Sequence, residues 1–198
     1  MSFQARKIVE ESGINVEELI KVLNKAYADE FLAWYQYYSA VGISKGLFRS
    51  EIEKEFLKHA EEELKHAELL KQRIIELNGI PLINPQEWYN YTNCGYKIPN
   101  CLDTIALIEQ NIESEQCAIK VYKGIMEATK GLDPITFKLA RNIMIEEIEH
   151  EQDLTDYKDD ICRTIEIIKN NCFQPKIDSE DNCDLISDNE ETIGEKVN

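Results

Sequence analysis

Apolar side chains recur every three or four residues along four long stretches of the sequence, and this spacing predicts four amphipathic helices. Glycine and proline fall mostly where the pattern stops. We predict helices over residues 16–44, 51–78, 102–130 and 134–170, each about 40 Å long at a rise of about 1.5 Å per residue. Asn15 is expected to cap the first helix, Ser50 with Glu53 the second, and Asp133 the fourth.

The lengths of the connections predict how these helices pack. Short turns join the first helix to the second and the third to the fourth, so each pair is expected to form an antiparallel hairpin. Residues 79–100, between the second and third helices, are long enough to cross the whole bundle. The sequence therefore predicts an all-α fold, a four-helix bundle of two antiparallel hairpins joined by one long crossover.

The charge of the chain is strongly negative and unevenly distributed. The 198 residues include 22 Lys and Arg against 38 Asp and Glu, which gives a formal net charge of −16. Residues 174–198 carry eight acidic and two basic side chains and show no helical pattern. We expect one helical domain over residues 1–173, followed by an acidic, disordered tail over residues 174–198.

Charge and hydropathy also exclude several roles. An acidic chain repels the phosphate backbone, so we expect no nucleic-acid partner. No apolar run reaches the roughly 18 to 20 residues of a membrane span, and residues 1–10 lack the apolar core of a secretory signal. We therefore expect a cytoplasmic protein with no membrane partner. The six cysteines form no C-x-x-C pair, so the sequence gives little support for structural zinc.

Each predicted helix carries one glutamate where its apolar stripe calls for a nonpolar side chain. In the second and fourth helices a histidine follows that glutamate three residues later, whereas neighbours such as Glu62 fall on polar faces. A single inward glutamate is often the edge of a solvated face, but the agreement of four helices near mid-length favours a shared site. The six residues are Glu30, Glu63, His66, Glu115, Glu147 and His150.

Four buried carboxylates would be strongly destabilising alone, and two divalent cations would neutralise them. Carboxylate and imidazole ligands suit iron or manganese, and zinc can occupy such sites. We therefore predict two divalent metal ions per chain, iron or manganese. His59, seven residues before His66, is interpreted as a histidine at the edge of the core rather than as a ligand.

The stretches LNKAYADEFLAWYQYY and EELKHAELLKQRIIELNGIP resemble the first two helices of bacterioferritins, and the resemblance covers residues 15–170. It implies a ferritin-like bundle with a dinuclear metal centre. Tyr37 matches a tyrosine close to that centre, and Leu64 stands where the haem-ligating methionine would be, so no haem is expected. The implied roles are terminal carboxylates for Glu30 and Glu115, bridging carboxylates for Glu63 and Glu147, and nitrogen ligands for His66 and His150.

Two cysteines point to one branch of this superfamily. Cys94, in NCGYKIP, and Cys117, in ESEQCAIKVY, resemble the cysteine pair of the Dps-like proteins called thioferritins. In those proteins the two thiols lie beside the dinuclear site, which implies a redox role for the pair. The alternative is two unrelated small core residues. Whether the two cysteines form a disulfide stays open at this point.

The resemblance implies a ferroxidase that oxidises Fe(II) with hydrogen peroxide or dioxygen, in a homo-oligomeric shell that stores iron and protects against oxidative stress. A shell of twelve subunits is favoured over one of twenty-four, because no amphipathic fifth helix follows residue 170. One alternative is a rubrerythrin-like peroxidase or manganese catalase, which has such a site but stores no mineral. The other is a non-catalytic helical interaction protein whose acidic tail recruits partners.

Overall fold

The computed structural model of the protein describes residues 4–171, and within that range it contains helices and no β-strand. The acidic segment over residues 174–198 lies outside the described residues. None of the helices within residues 4–171 is both long and apolar enough to cross a membrane. A 3₁₀ turn spans Pro85–Glu87, and the helices are α1 (Gln4–Glu11), α2 (Val16–Ala40), α3 (Arg49–Glu76), α4 (Trp88–Tyr91), α5 (Thr104–Thr129) and α6 (Pro134–Asn171).

Capping side chains fix two of the predicted helix starts. The side chain of Asn15 accepts hydrogen bonds from the backbone N–H groups of Glu17 and Glu18 at the start of α2. Asp133 Oδ1 accepts in the same way from the N–H groups of Ile135 and Thr136 at the start of α6. Both predicted caps are therefore confirmed.

The start of α3 differs from the prediction. This helix begins directly after Phe48, which has a left-handed backbone with φ of 56° and provides no side-chain cap. The predicted capping pair of Ser50 and Glu53 lies inside the helix, so that prediction is wrong. The cause is tertiary, because the Thr104 hydroxyl donates to the carbonyl oxygen of Leu47 at 3.1 Å and holds the preceding turn from outside.

Helices α2 and α3 pack as one hairpin and α5 and α6 as the other, and the crossover follows the length of α2. Near the start of α2, Asn24 donates to the carbonyl oxygen of Ile80 at 3.1 Å and accepts from the N–H of Leu82 at 2.9 Å. Beyond the end of α2, the N–H of Lys45 donates to the carbonyl oxygen of Leu102 at 2.8 Å. The predicted bundle of two hairpins joined by a long crossover is confirmed.

The apolar core is divided into two clusters along the bundle. The first apolar cluster packs the beginning of α2 against the end of α3, and the second packs the end of α2 against the beginning of α3. Between the clusters, the inward side chains at mid-helix are charged. Buried members include Leu23, Leu70, Ile74, Ile125 and Ile143 in the first cluster, and Ile52, Phe56, Leu107, Ile108 and Leu154 in the second.

Candidate metal centre

The six residues selected from the sequence lie together at the middle of the bundle, between the two apolar clusters. Helices α2 and α5 each provide one carboxylate, and α3 and α6 each provide a carboxylate and an imidazole. The apolar stripe of each helix turns these side chains inward, because they replace members of that stripe. None of the six is more than 3% exposed: Glu30, Glu63, His66, Glu115, Glu147 and His150.

These residues form two groups of four that share Glu63 and Glu147. In the first group, Nδ1 of His66 lies 3.5 Å from Glu63 Oε2 and 3.1 Å from Glu147 Oε1. In the second group, Nδ1 of His150 lies 3.4 Å from Glu63 Oε1 and 3.5 Å from Glu147 Oε2. Each shared carboxylate thus directs one oxygen towards each imidazole, so each would be placed to contact both ions if two metal ions were bound.

Glu30 and Glu115 each belong to one group, and a tyrosine hydroxyl holds one oxygen of each. Tyr37 donates to Glu115 Oε1, and Tyr122 donates to Glu30 Oε1. Oε2 of each carboxylate faces the imidazole of its own group. Tyr37 lies where the sequence placed it, beside the cluster. Tyr122 was not singled out from the sequence, although it follows Glu115 at the spacing by which Tyr37 follows Glu30.

The outer nitrogens of the two histidines bind carboxylates that were not singled out in the sequence. Nε2 of His66 donates to Glu146 Oε2 at 2.8 Å, and Nε2 of His150 donates to Glu62 Oε2 at 3.0 Å. Each bond crosses between α3 and α6. These bonds from the outer nitrogens orient each ring, so that Nδ1 faces the centre and can bind a metal ion through its lone pair once it has lost its proton.

Many polar atoms of this cluster have no hydrogen-bond partner, although buried polar atoms nearly always have one. All of them face the space shared by the two groups. Two divalent cations would satisfy these atoms and neutralise four carboxylates, so the residues fit a dinuclear centre with oxygen and nitrogen ligands. The atoms are Glu30 Oε2, Glu63 Oε1, His66 Nδ1, both carboxylate oxygens of Glu147, and His150 Nδ1.

The electrostatics of the metal-free cluster favour bound protons. Burial, with the charge of Glu147 as the next cause, raises the pKa of Glu30 and of Glu115 well above the usual range. Burial lowers the pKa of His150, but the nearby carboxylates of Glu147 and Glu63 outweigh it and raise the pKa to about 10. The same balance raises the pKa of His66. A cation entering the site would displace these protons.

The crossover brings a disulfide next to the cluster. Cys94 and Cys117 are bonded to each other, with their Cα atoms 5.8 Å apart. Asp29 holds the crossover there: its Oδ1 accepts from the N–H groups of Asn93 at 2.7 Å and Cys94 at 2.9 Å, and also from the Thr92 hydroxyl. The two cysteines singled out in the sequence are thus brought together beside the four inward carboxylates.

Two adjoining cavities connect this disulfide with the cluster. The outer cavity, of about 310 Å³, is lined by both cysteines and by Lys97. The inner cavity, of about 10 Å³, is lined by all four inward glutamates. Cys94, Gly95 and Ser114 line both cavities, so a small molecule entering from the outer cavity would pass the disulfide before it reached the carboxylates.

A four-helix bundle with two overlapping carboxylate–histidine groups in its core defines a class of helical proteins built around a dinuclear metal centre. The family described as "Ferritin-like domain" matches residues 20–164, and the chain belongs to this family. Its helical bundle and the resemblance to the Dps-like branch of the family are both confirmed by comparison with known proteins.

The relatives of this chain include curated and solved proteins. A "DNA protection during starvation protein" from Pyrococcus furiosus is 37% identical over 148 residues, which cover 74% of this chain and 80% of the relative. A solved dodecameric thioferritin, the bacterioferritin-related protein from Bacteroides fragilis, is 42% identical with a TM-score of 0.81, covering 83% of this chain and 98% of that one. Dps from Thermosynechococcus elongatus shares the fold at 17% identity, with a TM-score of 0.68 and coverage of 71% and 90%.

Proposed function

We propose that the protein is a ferroxidase of the Dps-like type, which takes up two Fe(II) ions per chain and oxidises them to Fe(III) with hydrogen peroxide or dioxygen. The observation that carries this proposal is the pair of shared carboxylates, Glu63 and Glu147, each with one oxygen directed at each histidine. Such an arrangement is suited to two ions held side by side rather than to one. Manganese is the alternative metal, because the ligand types suit both.

The reaction with peroxide balances without a further reductant. Two Fe(II) ions give one electron each, and hydrogen peroxide takes both electrons and two protons to give two water molecules. Glu63 and Glu147 hold the two ions together, while Glu30 and Glu115 each hold one ion. Because the two ions react as a pair, the oxidant takes two electrons at one place, and no hydroxyl radical has to leave the site.

The tyrosine and the cysteines have supporting roles in this proposal. Tyr37 acts through Glu115, so it is a positioning residue whose hydroxyl leaves Glu115 Oε2 free for the metal. Cys94 and Cys117 line the way to the cluster, and their reduced pair could give two electrons when it closes to the disulfide. Leu64 is 39% exposed and offers no haem ligand, so we propose no haem.

We further propose that twelve chains assemble into a shell that stores the ferric product and protects the cell from peroxide. The support is the 42% identity with a thioferritin described as dodecameric. The Pyrococcus relative is named for the protection of DNA. With a net charge of −16, this chain would protect nucleic acid by removing Fe(II) and peroxide rather than by contact with phosphates.

The test is an anaerobic Fe(II) titration of the full chain, followed by hydrogen peroxide. We expect two Fe(II) per chain, oxidation of two Fe(II) per peroxide, and continued loading of ferric mineral into a particle of about twelve chains. Glu63→Ala should bring oxidation close to the uncatalysed rate. Glu61→Ala, at an exposed position on the same helix, is the matched control and should behave as wild type.

Other outcomes identify the alternatives. Turnover of peroxide by two bound irons without mineral loading would make the protein a peroxidase, and turnover only with manganese would make it a catalase. Unchanged Fe(II) oxidation in Glu63→Ala would contradict the proposed site. If the wild type binds no metal, the ferroxidase proposal is rejected in favour of the non-catalytic helical interaction protein.

A further inference from the structure

His59 on α3 is buried more deeply than its place at the core edge in the sequence suggested. Its side chain is fully buried, yet neither ring nitrogen has a hydrogen-bond partner. Its ring stacks on that of His150 at a centroid distance of 4.1 Å and meets the edge of Tyr37 at 5.2 Å. A buried imidazole with two unsatisfied nitrogens is destabilising in a packed core, so a missing partner is the physical explanation to look for.

Two carboxylates lie on the outer side of this imidazole. Nε2 of His59 is 3.1 Å from Glu55 Oε1 on the same helix and 3.8 Å from Asp153 Oδ2 on α6. Two ligand atoms each about 2.1 Å from one metal ion lie roughly 3.0 to 3.4 Å apart at adjacent corners of an octahedron or tetrahedron. The separation from Glu55 falls in this range, whereas the exposed Asp153 side chain would have to move inward by a few tenths of an ångström from 3.8 Å; one atom from each residue lies within 4.8 Å of the others.

We propose that Glu55, His59 and Asp153 form a third cation site, which binds a divalent transition-metal ion such as Fe(II), Mn(II) or Co(II). One imidazole nitrogen and two carboxylate oxygens are ligands that these ions share. Asp153 is 44% exposed at its side chain and Glu55 16%, so an ion can reach the site from solvent. The binding proposal does not depend on iron oxidation at the dinuclear cluster.

A positive charge already lies at these two carboxylates. The ammonium group of Lys58 donates to Glu55 Oε1 at 2.7 Å and to Asp153 Oδ2 at 3.3 Å, the same two oxygens that face His59. The lysine side chain is 51% exposed, so it can swing into solvent when a cation takes its place. Lys58 therefore acts as a weak, tethered competitor for the proposed site.

The other half of the bundle provides an internal comparison. The α5–α6 hairpin repeats the cluster residues of the α2–α3 hairpin, with Glu147 corresponding to Glu63 and His150 to His66. When the same offset in sequence is applied to the three proposed ligands, the corresponding residue in the other hairpin is apolar in each case. The fold therefore does not require polar side chains at these positions. The third site is found in one half of the bundle and has no counterpart in the other. Glu55 corresponds to Leu139, His59 to Ile143 and Asp153 to Leu69.

The third site is also next to the dinuclear cluster. Ligand atoms of His59, Glu62 and His150 lie within 4.8 Å of one another. His59 therefore belongs both to the outer group with Glu55 and Asp153 and to an inner group with His150. If the ferroxidase proposal holds, an Fe(II) ion bound at the third site is separated from the reacting pair by the His59 side chain. It can then replace an ion that leaves the pair.

The test is a titration of the full-length protein with Co(II) under anaerobic conditions, in which Co(II) is not oxidised. We expect three Co(II) per chain in the wild type and two in Asp153→Asn and Glu55→Gln. Asp156→Asn, an exposed aspartate on the same helix, should retain three. Lys58→Met should retain three and bind the third ion roughly threefold to tenfold more tightly, because the competing ammonium group is gone.

Crystals of the Co(II) complex locate the ions by anomalous scattering. In the Glu63→Ala variant, the dinuclear positions should be lost while a peak remains among Glu55, His59 and Asp153. The crystals therefore test the two proposals separately, because Co(II) can be absent from the dinuclear positions or from the third site independently. Two Co(II) per chain in both the wild type and Lys58→Met, with no peak among these three residues, would overturn the third site.

Discussion

Glu146 on α6 holds His66 on α3 across the bundle, with 2.8 Å between the carboxylate oxygen and Nε2. The reciprocal bond joins Glu62 on α3 to His150 on α6 at 3.0 Å. Each helix thus orients the histidine of the other. These two bonds hold the spacing of α3 and α6 at the level of the cluster, as well as the direction in which each Nδ1 points.

Removing one of these outer carboxylates should weaken metal binding without removing a ligand. We expect Glu146→Gln to reduce the affinity for Fe(II) by about 10-fold to 100-fold, because an amide orients the imidazole poorly and does not increase its basicity. Glu149→Gln, at an exposed position on the same helix, should leave the affinity unchanged. Anaerobic titration measures the Fe(II) affinity of both variants. An affinity of Glu146→Gln equal to that of wild type would show that Glu146 has no part in orienting His66.

The two tyrosines provide a matched pair of variants. Tyr37→Phe removes the donor to Glu115, and Tyr122→Phe removes the donor to Glu30. Each loss of a buried hydrogen bond to a carboxylate is worth about 1 to 3 kcal/mol, so each variant should bind Fe(II) roughly tenfold more weakly. Equal single-turnover oxidation rates at saturating Fe(II) would fit positioning alone, whereas a slower rate only in Tyr37→Phe would assign that residue a redox role.

Metal binding should strengthen as the pH rises. The pKa of His150 is raised to about 10, and the pKa values of Glu30 and Glu115 are raised well above the usual range. These groups must lose their protons to bind metal, so protons oppose binding at low pH. Calorimetry in two buffers of different ionisation enthalpy should detect proton release, with a lower dissociation constant at about pH 7.5 than at about pH 6. A pH-independent constant without proton release would contradict the protonated metal-free state.

The disulfide should matter for stability more than for metal binding. Cys94 and Cys117 are separated by 23 positions, and closing a loop of that length stabilises the fold by about 3 kcal/mol in the chain-entropy account. Cys94→Ser should lower the free energy of unfolding by that amount in urea. Metal binding should persist, because Asp29 holds the crossover independently of the disulfide.

A second thiol provides the control for this variant. Cys162 is a free, exposed cysteine on α6, so Cys162→Ser should change neither stability nor metal binding. Loss of metal from Cys94→Ser would show instead that the disulfide shapes the cluster itself.

The long helices and the inward cluster could be predicted because both follow from one periodic pattern. A glutamate inside an apolar stripe is visible in the sequence, and it stays in place when the helix packs. Glu62 and Glu146 could not be found in this way, because they lie on polar faces and their partners are on another helix. The spacing of Tyr122 after Glu115 was visible, but a tyrosine in a stripe is normally a core residue.

Short elements and connections were harder to predict. The short helix α1 was not predicted from the sequence, and its buried Val9 packs within the first apolar cluster. The start of α3 is set by contacts from residue Thr104, far away in the sequence. The pairing of Cys94 with Cys117 depends on the path of the crossover, and that path is set by tertiary contacts such as the hydrogen bonds of Asn24, Asp29 and Lys45.

The division of the core into two apolar clusters has a consequence for the ions themselves. Each cluster is packed mainly from apolar side chains on its own side of the charged layer, so its packing does not depend on a bound cation. The helical bundle can therefore stay folded when metal ions bind and dissociate. If the ferroxidase proposal holds, an oxidised ion that leaves the cluster can be replaced by another within an intact bundle.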